Sequence, residues 1–258
     1  MHPRPTMEAM AEVIVFPEGG YRYVSGVFQY SAGVAAEHGL AIERARFRDC
    51  LPLAEAFVAV EEHLAAIGRP LTAFASCELR SPKPFSEQGF VDFNRRYVQA
   101  LERFGVYRDG INPVARTNVC PLHGAPAVPS MRAFAYTVPA DGARGGFIVS
   151  GGAEAIEGAG GYAGRIVREG DTSTSALREK ARFVVAEMGR RLGALGFGWP
   201  DAGSTQVYTV HDIGPFAAEE LAVTSVAPDG FTWHHARPPV VGLEFEMDVR
   251  GPAREVAL

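Results

Sequence analysis

The tripeptide Val-Ser-Gly stands at 24–26 and again at 149–151, in the contexts "GGYRYVSG" and "RGGFIVSGG". The copies lie 125 residues apart in a chain of 258, close to half its length. Such an offset marks one unit written twice, provided that the order of elements repeats as well. In the first half a polar, glycine-containing stretch runs to about Asp49. A helix from 51 to 68 follows, with Leu53, Phe57, Val60, Leu64 and Ile67 at spacings of three and four and Gly68 as its stop. A strand at 71–79 comes next, then a helix at 86–105 with Ser86 as N-cap and Gly105 as terminator, then strands at 114–119 and 131–138. The second half repeats the order. A strand at 147–152 leads to a helix at 173–196, whose Leu177, Ala181, Val184, Met188, Leu192 and Leu195 share a face. A strand at 204–210, a shorter helix at 214–222 and strands within 236–249 complete it. Arg116 and Arg237 are 121 residues apart and the helix-ending Gly68 and Gly196 are 128 apart, as duplication with small insertions requires. The expected units span 12–140 and 145–254.

Four to six strands with two helices in each unit predict an α+β architecture, a mixed sheet with both helices packed on one face. The bare face then needs cover, which predicts sheet-to-sheet packing between domains or between chains. An apolar fraction of 47 % supplies the core for such layers. The net charge of −5 argues against nucleic-acid binding, which needs a basic face. No apolar run approaches a membrane span, and the N-terminal segment lacks an apolar signal core. Cys50, Cys77 and Cys120 have the spacing of neither a disulfide framework nor a zinc site, so the expected location is the reducing cytoplasm.

The aromatic-x-Val-Ser-Gly strand, "FVDFNRRY" with Asn94 and Tyr97, "ARTNV" with Arg116, and "LEFEMD" with Glu244 and Glu246 resemble the Rid (YjgF-type) family of reactive-intermediate deaminases. The resemblance runs once through each half and implies a duplicated Rid/chorismate-mutase-like domain. It also implies a homo-oligomer, a trimer above all, with ligand clefts between neighbouring units. The halves keep different parts of the pattern. The first lacks the Glu-x-Glu pair, with Ala133 at the first acid's place. The second has Gly151, Arg237 and both glutamates, but its second helix is too short for the Asn motif. A composite site between the halves fits this split, and so does decay of one site. "CELRSP", "NPVARTNVCP" and "RPPVVGLEFEMD" further resemble the two-domain deaminases of 2-aminomuconate-type intermediates of aromatic degradation.

Arginine binds a carboxylate through paired charge-assisted hydrogen bonds, so Arg116 and Arg237 are candidate holders of a small carboxylic acid. Only one of Glu244 and Glu246 is expected to face a given cleft. The resemblance makes Glu244 the acid that orients the attacking water, with Arg237 and Arg116 as its catalytic partners. Gly26 and Gly151 would let a ligand approach the backbone. Asn94 and Tyr97 share a helix face and suit a site contact or a core hydrogen bond. Cys120 reads as a thiol near the site or as a small buried hydrophobe. His234 and His235 are adjacent on a strand, diverge, and are not expected to share a metal. The segment "GGAEAIEGAGGYAG" lacks a phosphate-loop ending and reads as a hairpin or rim loop. The expected activity is cofactor-free, metal-free hydrolysis of an imine or enamine of a small carboxylic acid, with release of ammonia. The alternatives are a metabolite-binding module without turnover and a chorismate-cleaving enzyme on a related duplicated fold.

Overall fold

The computed structural model describes residues 12–142, 145–156, 161–162, 164–222 and 230–258. Residues 157–160 and 163 of the glycine-rich segment lie outside them. Its described flanks pair Ala155 with Ile166 in antiparallel fashion, as a hairpin does.

Among the described residues thirteen strands form two mixed sheets. The seven-stranded sheet has the order β1 (Val13–Phe16), β2 (Tyr21–Val24), β3 (Gly33–Ala36), β8 (Phe147–Ala153), β12 (Glu246–Gly251), β9 (Ser204–Tyr208), β10 (Phe231–His234). The six-stranded sheet has the order β11 (Ala236–Arg237), β6 (Ala115–Pro121), β5 (Phe74–Arg80), β7 (Ser130–Pro139), β4 (Leu40–Pro52), β13 (Arg254–Ala257). Three pairs are parallel, β9 with β10, β5 with β6 and β4 with β13. Each half of the chain therefore contributes to both sheets, and the sheets do not coincide with 12–140 and 145–254. Val24 ends β2 and the second Val-Ser-Gly copy lies within β8, in the same sheet and separated only by β3, while Ser25 and Gly26 follow β2 as loop.

Helix α3 (Thr174–Leu195) covers the seven-stranded sheet. Ser173 caps its first turn by accepting the Ala176 N–H, and Gly196 ends it at φ +85°. The six predicted apolar positions are all buried, against Val24, Val149, Val207, Met247 and Val249. Helices α1 (Leu53–Ala66) and α2 (Glu87–Arg103) cover the six-stranded sheet, with Phe57, Val60, Leu64, Phe93 and Leu101 packed on Phe74 and Phe134. Ser86 caps α2 by accepting the Gly89 N–H. The short helix read at 214–222 is α4 (Gly214–Ala217), continued by a π turn at Ala218–Ala222.

The bare sheet faces pack on each other through Tyr21, Tyr23, Val34, Ile42, Ala75, Ala115, Ala135 and Ile148. Ala36, Ala75, Ala115 and Ala135 at this seam let the backbones come close, and the Tyr21 hydroxyl donates across it to the Phe74 carbonyl at 3.1 Å. Among the described residues no helix is long and apolar enough to cross a membrane.

The polar stretch before Asp49 departs most from expectation. It holds β3 and the thirteen-residue β4. Charges at Glu43, Arg44, Arg46 and Arg48 mask a strand buried on both faces, Ile42 towards the other sheet and Ala45 and Phe47 towards the helices. Arg44 is itself buried, and its charge is met by Glu78 on β5, with Nη2 3.0 Å from Oε2.

Candidate functional site

The seam between the sheets opens into one cleft where the halves meet. Arg116 and Asn118 enter it from β6, two residues apart and so on one strand face. Gly151 enters from β8 and Glu246 from β12. Tyr30, Phe90, Tyr162 and Leu243 close the walls. The enclosed space is about 30 Å³, room for a water molecule.

Arg116 is 2 % exposed. Its guanidinium lies over the rings of Tyr97 at 4.8 Å, Tyr30 at 4.9 Å, Phe90 at 5.6 Å and Phe93 at 5.9 Å. Ring faces stabilise a desolvated cation, by about 2 kcal/mol or more at a good contact. One Nη donates to Asn94 Oδ1 at 2.6 Å, so Asn94 stands behind the arginine and aims it. The Arg116 Nε, Asn94 Nδ2 and Asn118 Nδ2 groups are buried without a hydrogen-bond partner. Each such orphan donor costs about 1–3 kcal/mol unless something accepts from it.

The second Val-Ser-Gly copy builds the opposite wall. Ser150 Oγ donates to the Ser31 carbonyl at 2.5 Å and accepts the Arg116 N–H at 3.0 Å, which ties β6 to the seven-stranded sheet. Gly151 receives the Glu246 carboxylate against its Cα, where a Cβ would overlap Glu246 Oε1. The first copy serves its own loop instead. A Cβ on Gly26 would meet the Tyr30 carbonyl oxygen at 2.6 Å, and Gly26 does not line the cleft.

Glu244 and Glu246 part company. Residues two apart on one strand share a face, so strand geometry alone would send both into the cleft. They separate because β12 begins only at Glu246. Ahead of it, Glu154 Oε1 accepts the Glu244 N–H at 2.7 Å and Oε2 accepts the Phe245 N–H at 3.0 Å. Glu154 is in turn neutralised by Lys180 at 3.1 Å, with both side chains fully buried. This clamp sends the Glu244 side chain to His211 Nε2 at 2.7 Å and Arg237 Nη1 at 3.1 Å. Arg237, on β11 opposite Cys120, is thus a partner of Glu244 and lies outside the cleft lined by Arg116 and Glu246.

Burial keeps the Cys77 and Cys120 thiols protonated at neutral pH. Burial pushes Cys120 up to about 12, with a further push from the negative charge of Glu246. Burial likewise lifts Cys77 to about 12, beyond what the Tyr97 hydroxyl and the Arg116 charge lower. Cys77 lies 3.2 Å from the Tyr97 hydroxyl and helps to hold the aromatic wall.

The cleft therefore brings together Arg116, Gly151 and, one residue behind, Asn94. It leaves out Gly26, Arg237 and Glu244, while Cys120 is packed nearby as an apolar group. Tyr30, Phe90, Asn118 and Tyr162 were not singled out from the sequence. Asn118 had a visible signal, because it shares the Arg116 face of a predicted strand. Phe90 had one too, four residues before Asn94 on the same face of α2, while Tyr30 and Tyr162 had none, since they come from loops.

Among curated proteins the chain is 58 % identical over 251 residues to 2-amino-5-chloromuconate deaminase of Comamonas testosteroni, covering 96 % of this chain and 100 % of that protein. Among solved structures it is similar to a chorismatase, with 13 % identity, a TM-score of 0.47, and 93 % and 79 % of the two chains covered. It is also similar to the YjgF gene product of E. coli, with 18 % identity, a TM-score of 0.29, and 42 % and 81 % covered. The family model described as 2-aminomuconate deaminase CnbZ matches residues 13–256, which bears out the resemblance to that subgroup: the chain belongs to the 2-aminomuconate deaminase family.

Proposed function

We propose that this deaminase hydrolyses 2-aminomuconate or a ring-substituted relative such as its 5-chloro derivative, in the cleft between Arg116 and Glu246, without a cofactor. The observation that carries the reading is the meeting of a buried arginine from the first half with a buried carboxylate from the second, above Gly151. The substrate is a six-carbon dicarboxylate with its amine beside one carboxylate. That carboxylate takes the Arg116 Nε and the Asn118 Nδ2, both of which lack an acceptor. The amine-bearing carbon then faces Glu246.

The enamine tautomerises to the imine, whose carbon is electrophilic. Glu246 takes a proton from water as the oxygen adds to that carbon, and the carbon–nitrogen double bond becomes single. The same proton returns to nitrogen to give the carbinolamine; Glu246 then takes the hydroxyl proton and passes it to the amino group, the carbon–nitrogen bond breaks, and ammonia leaves with an oxo group in its place. Positioned water and a proton carrier suffice for this sequence. The space of about 30 Å³ holds water but not the substrate, so Tyr162 and Tyr30 must give way on binding.

The test is ammonia release from freshly generated 2-aminomuconate and its 5-chloro derivative. Glu246→Gln is expected to lower kcat by about 10²–10⁴-fold, the range for a general base. Glu244→Gln is expected to stay within about tenfold, because its carboxylate is engaged outside the cleft. Full activity in Glu246→Gln, or no acceleration by the wild type, refutes the proposal.

A further inference from the structure

A second cavity, of about 280 Å³, lies on the other face of β6, where Val119 points. Its polar lining is Arg80, Tyr208, His123, His234 and His235, three of the chain's seven histidines, and it contains no carboxylate. In a chain with a net charge of −5, a cavity walled by cationic and N–H-donating groups is not a by-product of composition.

The neighbouring acids are already taken. Glu78 accepts from Arg44 Nη2 at 3.0 Å and pairs with Arg250 Nη1 at 2.9 Å. Asp248 is held by Arg250 Nε at 2.7 Å and by the Tyr208 hydroxyl at 2.8 Å. Arg80 forms a loose ion pair with Glu78 at 3.8 Å, beyond hydrogen-bond reach. Its side chain is 13 % exposed and its guanidinium lies 5.9 Å from the Tyr208 ring centroid. One Nη donates to the Leu79 carbonyl at 2.8 Å, so the fork is held in place with donors to spare. His234 lies flat on Tyr208, with centroids 4.8 Å apart, and its Nε2 donates to Gln206 Oε1 at 2.6 Å, which makes it a fixed wall. His123 and His235 are exposed residues whose rings lie 5.8 Å apart, and His235 Nε2 donates to the Val210 carbonyl at 3.2 Å, which leaves its Nδ1 side for a ligand. Among the described residues no three His, Cys, Asp or Glu side chains are grouped to hold a metal ion, which leaves an anion as the fitting occupant.

We propose that this cavity binds a small oxyanion, a phosphate or a carboxylate, on the Arg80 guanidinium, with His123 and His235 closing over it. The site is separate from the Arg116 cleft and does not rest on the deaminase reading.

The test follows the imidazole nitrogen resonances of the full-length protein by NMR at pH 7 and fixed ionic strength. Sodium phosphate is titrated in one arm and disodium fumarate in the other. Saturable shifts are expected at His123 and His235, with His38, His63 and His211 unmoved. Tighter binding in one arm identifies that anion class as the natural occupant. Arg80→Gln is expected to weaken binding about 10- to 100-fold, the value of a charge-assisted pair. His123→Ala, on an exposed loop, is expected to weaken it about threefold or more and decides the matter alone if Arg80→Gln does not fold. Absence of saturable shifts at His123 and His235, or unchanged affinity in the folded variants, overturns the proposal.

Discussion

Gly151→Ala separates the position of the Glu246 carboxylate from everything else in the cleft. The backbone is no obstacle, because Gly151 is not among the glycines with positive φ. The added Cβ would meet Thr117 Cγ2 at 3.2 Å and overlap Glu246 Oε1. What yields is the far end of the Glu246 side chain, which must retreat by about an ångström. Rotating those torsions off their minima costs about 0.5–1.5 kcal/mol, so the urea midpoint should move only slightly. A reacting group misplaced by about 1 Å costs on the order of 10²-fold in rate. The expected result is a kcat/KM for ammonia release about 10²-fold down, close to 2.7 kcal/mol, from a protein less than ~1.5 kcal/mol less stable. The double variant with Glu246→Gln carries the decisive reading. If the methyl acts only through the carboxylate, Gly151→Ala adds nothing once the carboxylate is gone. A further 10²-fold loss in the double variant, or wild-type rates in Gly151→Ala alone, would refute the reasoning.

Lys180→Met leaves the fully buried Glu154 carboxylate without its cation and should cost about 3–5 kcal/mol in urea unfolding, part of which Lys180→Met/Glu154→Gln recovers. Burial raises the Glu78 carboxyl, but the guanidiniums of Arg250 and Arg44 outweigh it and hold the group at about 2. The folded value lies below the unfolded one of 4.5, so the stabilisation is complete above about 4.5 and is lost as pH falls towards 2. Its size is on the order of 3 kcal/mol, and unfolding midpoints measured from pH 6 to 2.5 should show that loss in the wild type and flatten in Glu78→Gln. Iodoacetamide at pH 8 followed by peptide mass analysis should label half-buried Cys50 first, while buried Cys77 and Cys120 stay unmodified until the protein unfolds.

Helix positions were legible because the 3.6-residue period of α3 and the caps at Ser86 and Ser173 are local signals. The sheets were less so. β4 is hidden by its charges, of which Arg44 is buried and meets Glu78 and Glu255 across the sheet. The strand "EFEMDVR" alternates visibly, with Phe245, Met247 and Val249 turned to α3. The sequence does not say that the polar side faces the other sheet and not solvent, which is what makes Glu246, Asp248 and Arg250 buried. The place of Arg116 in the cleft was readable from a motif on one strand. The place of Glu244 outside it was not, because the Glu154–Lys180 clamp, which turns that residue away, is a contact across 90 residues of sequence. The two Val-Ser-Gly copies read alike and act differently, since only the second has a carboxylate laid over its glycine.

The exchange of strands between the sheets fixes the timing of folding on the ribosome. When the first half has emerged, β4 still lacks β13 along one edge, and β3 lacks β8. Closing the β4 edge joins Glu43 to Arg254, 211 positions later. At about 5–20 residues per second, the first half waits roughly 5–25 s with open strand edges before its partners are synthesised. Open edges recruit other chains, so each nascent molecule carries a sticky interval whose length is set by translation speed. Slow codons after β7 would lengthen it and lower the soluble yield of a protein whose finished fold is unchanged.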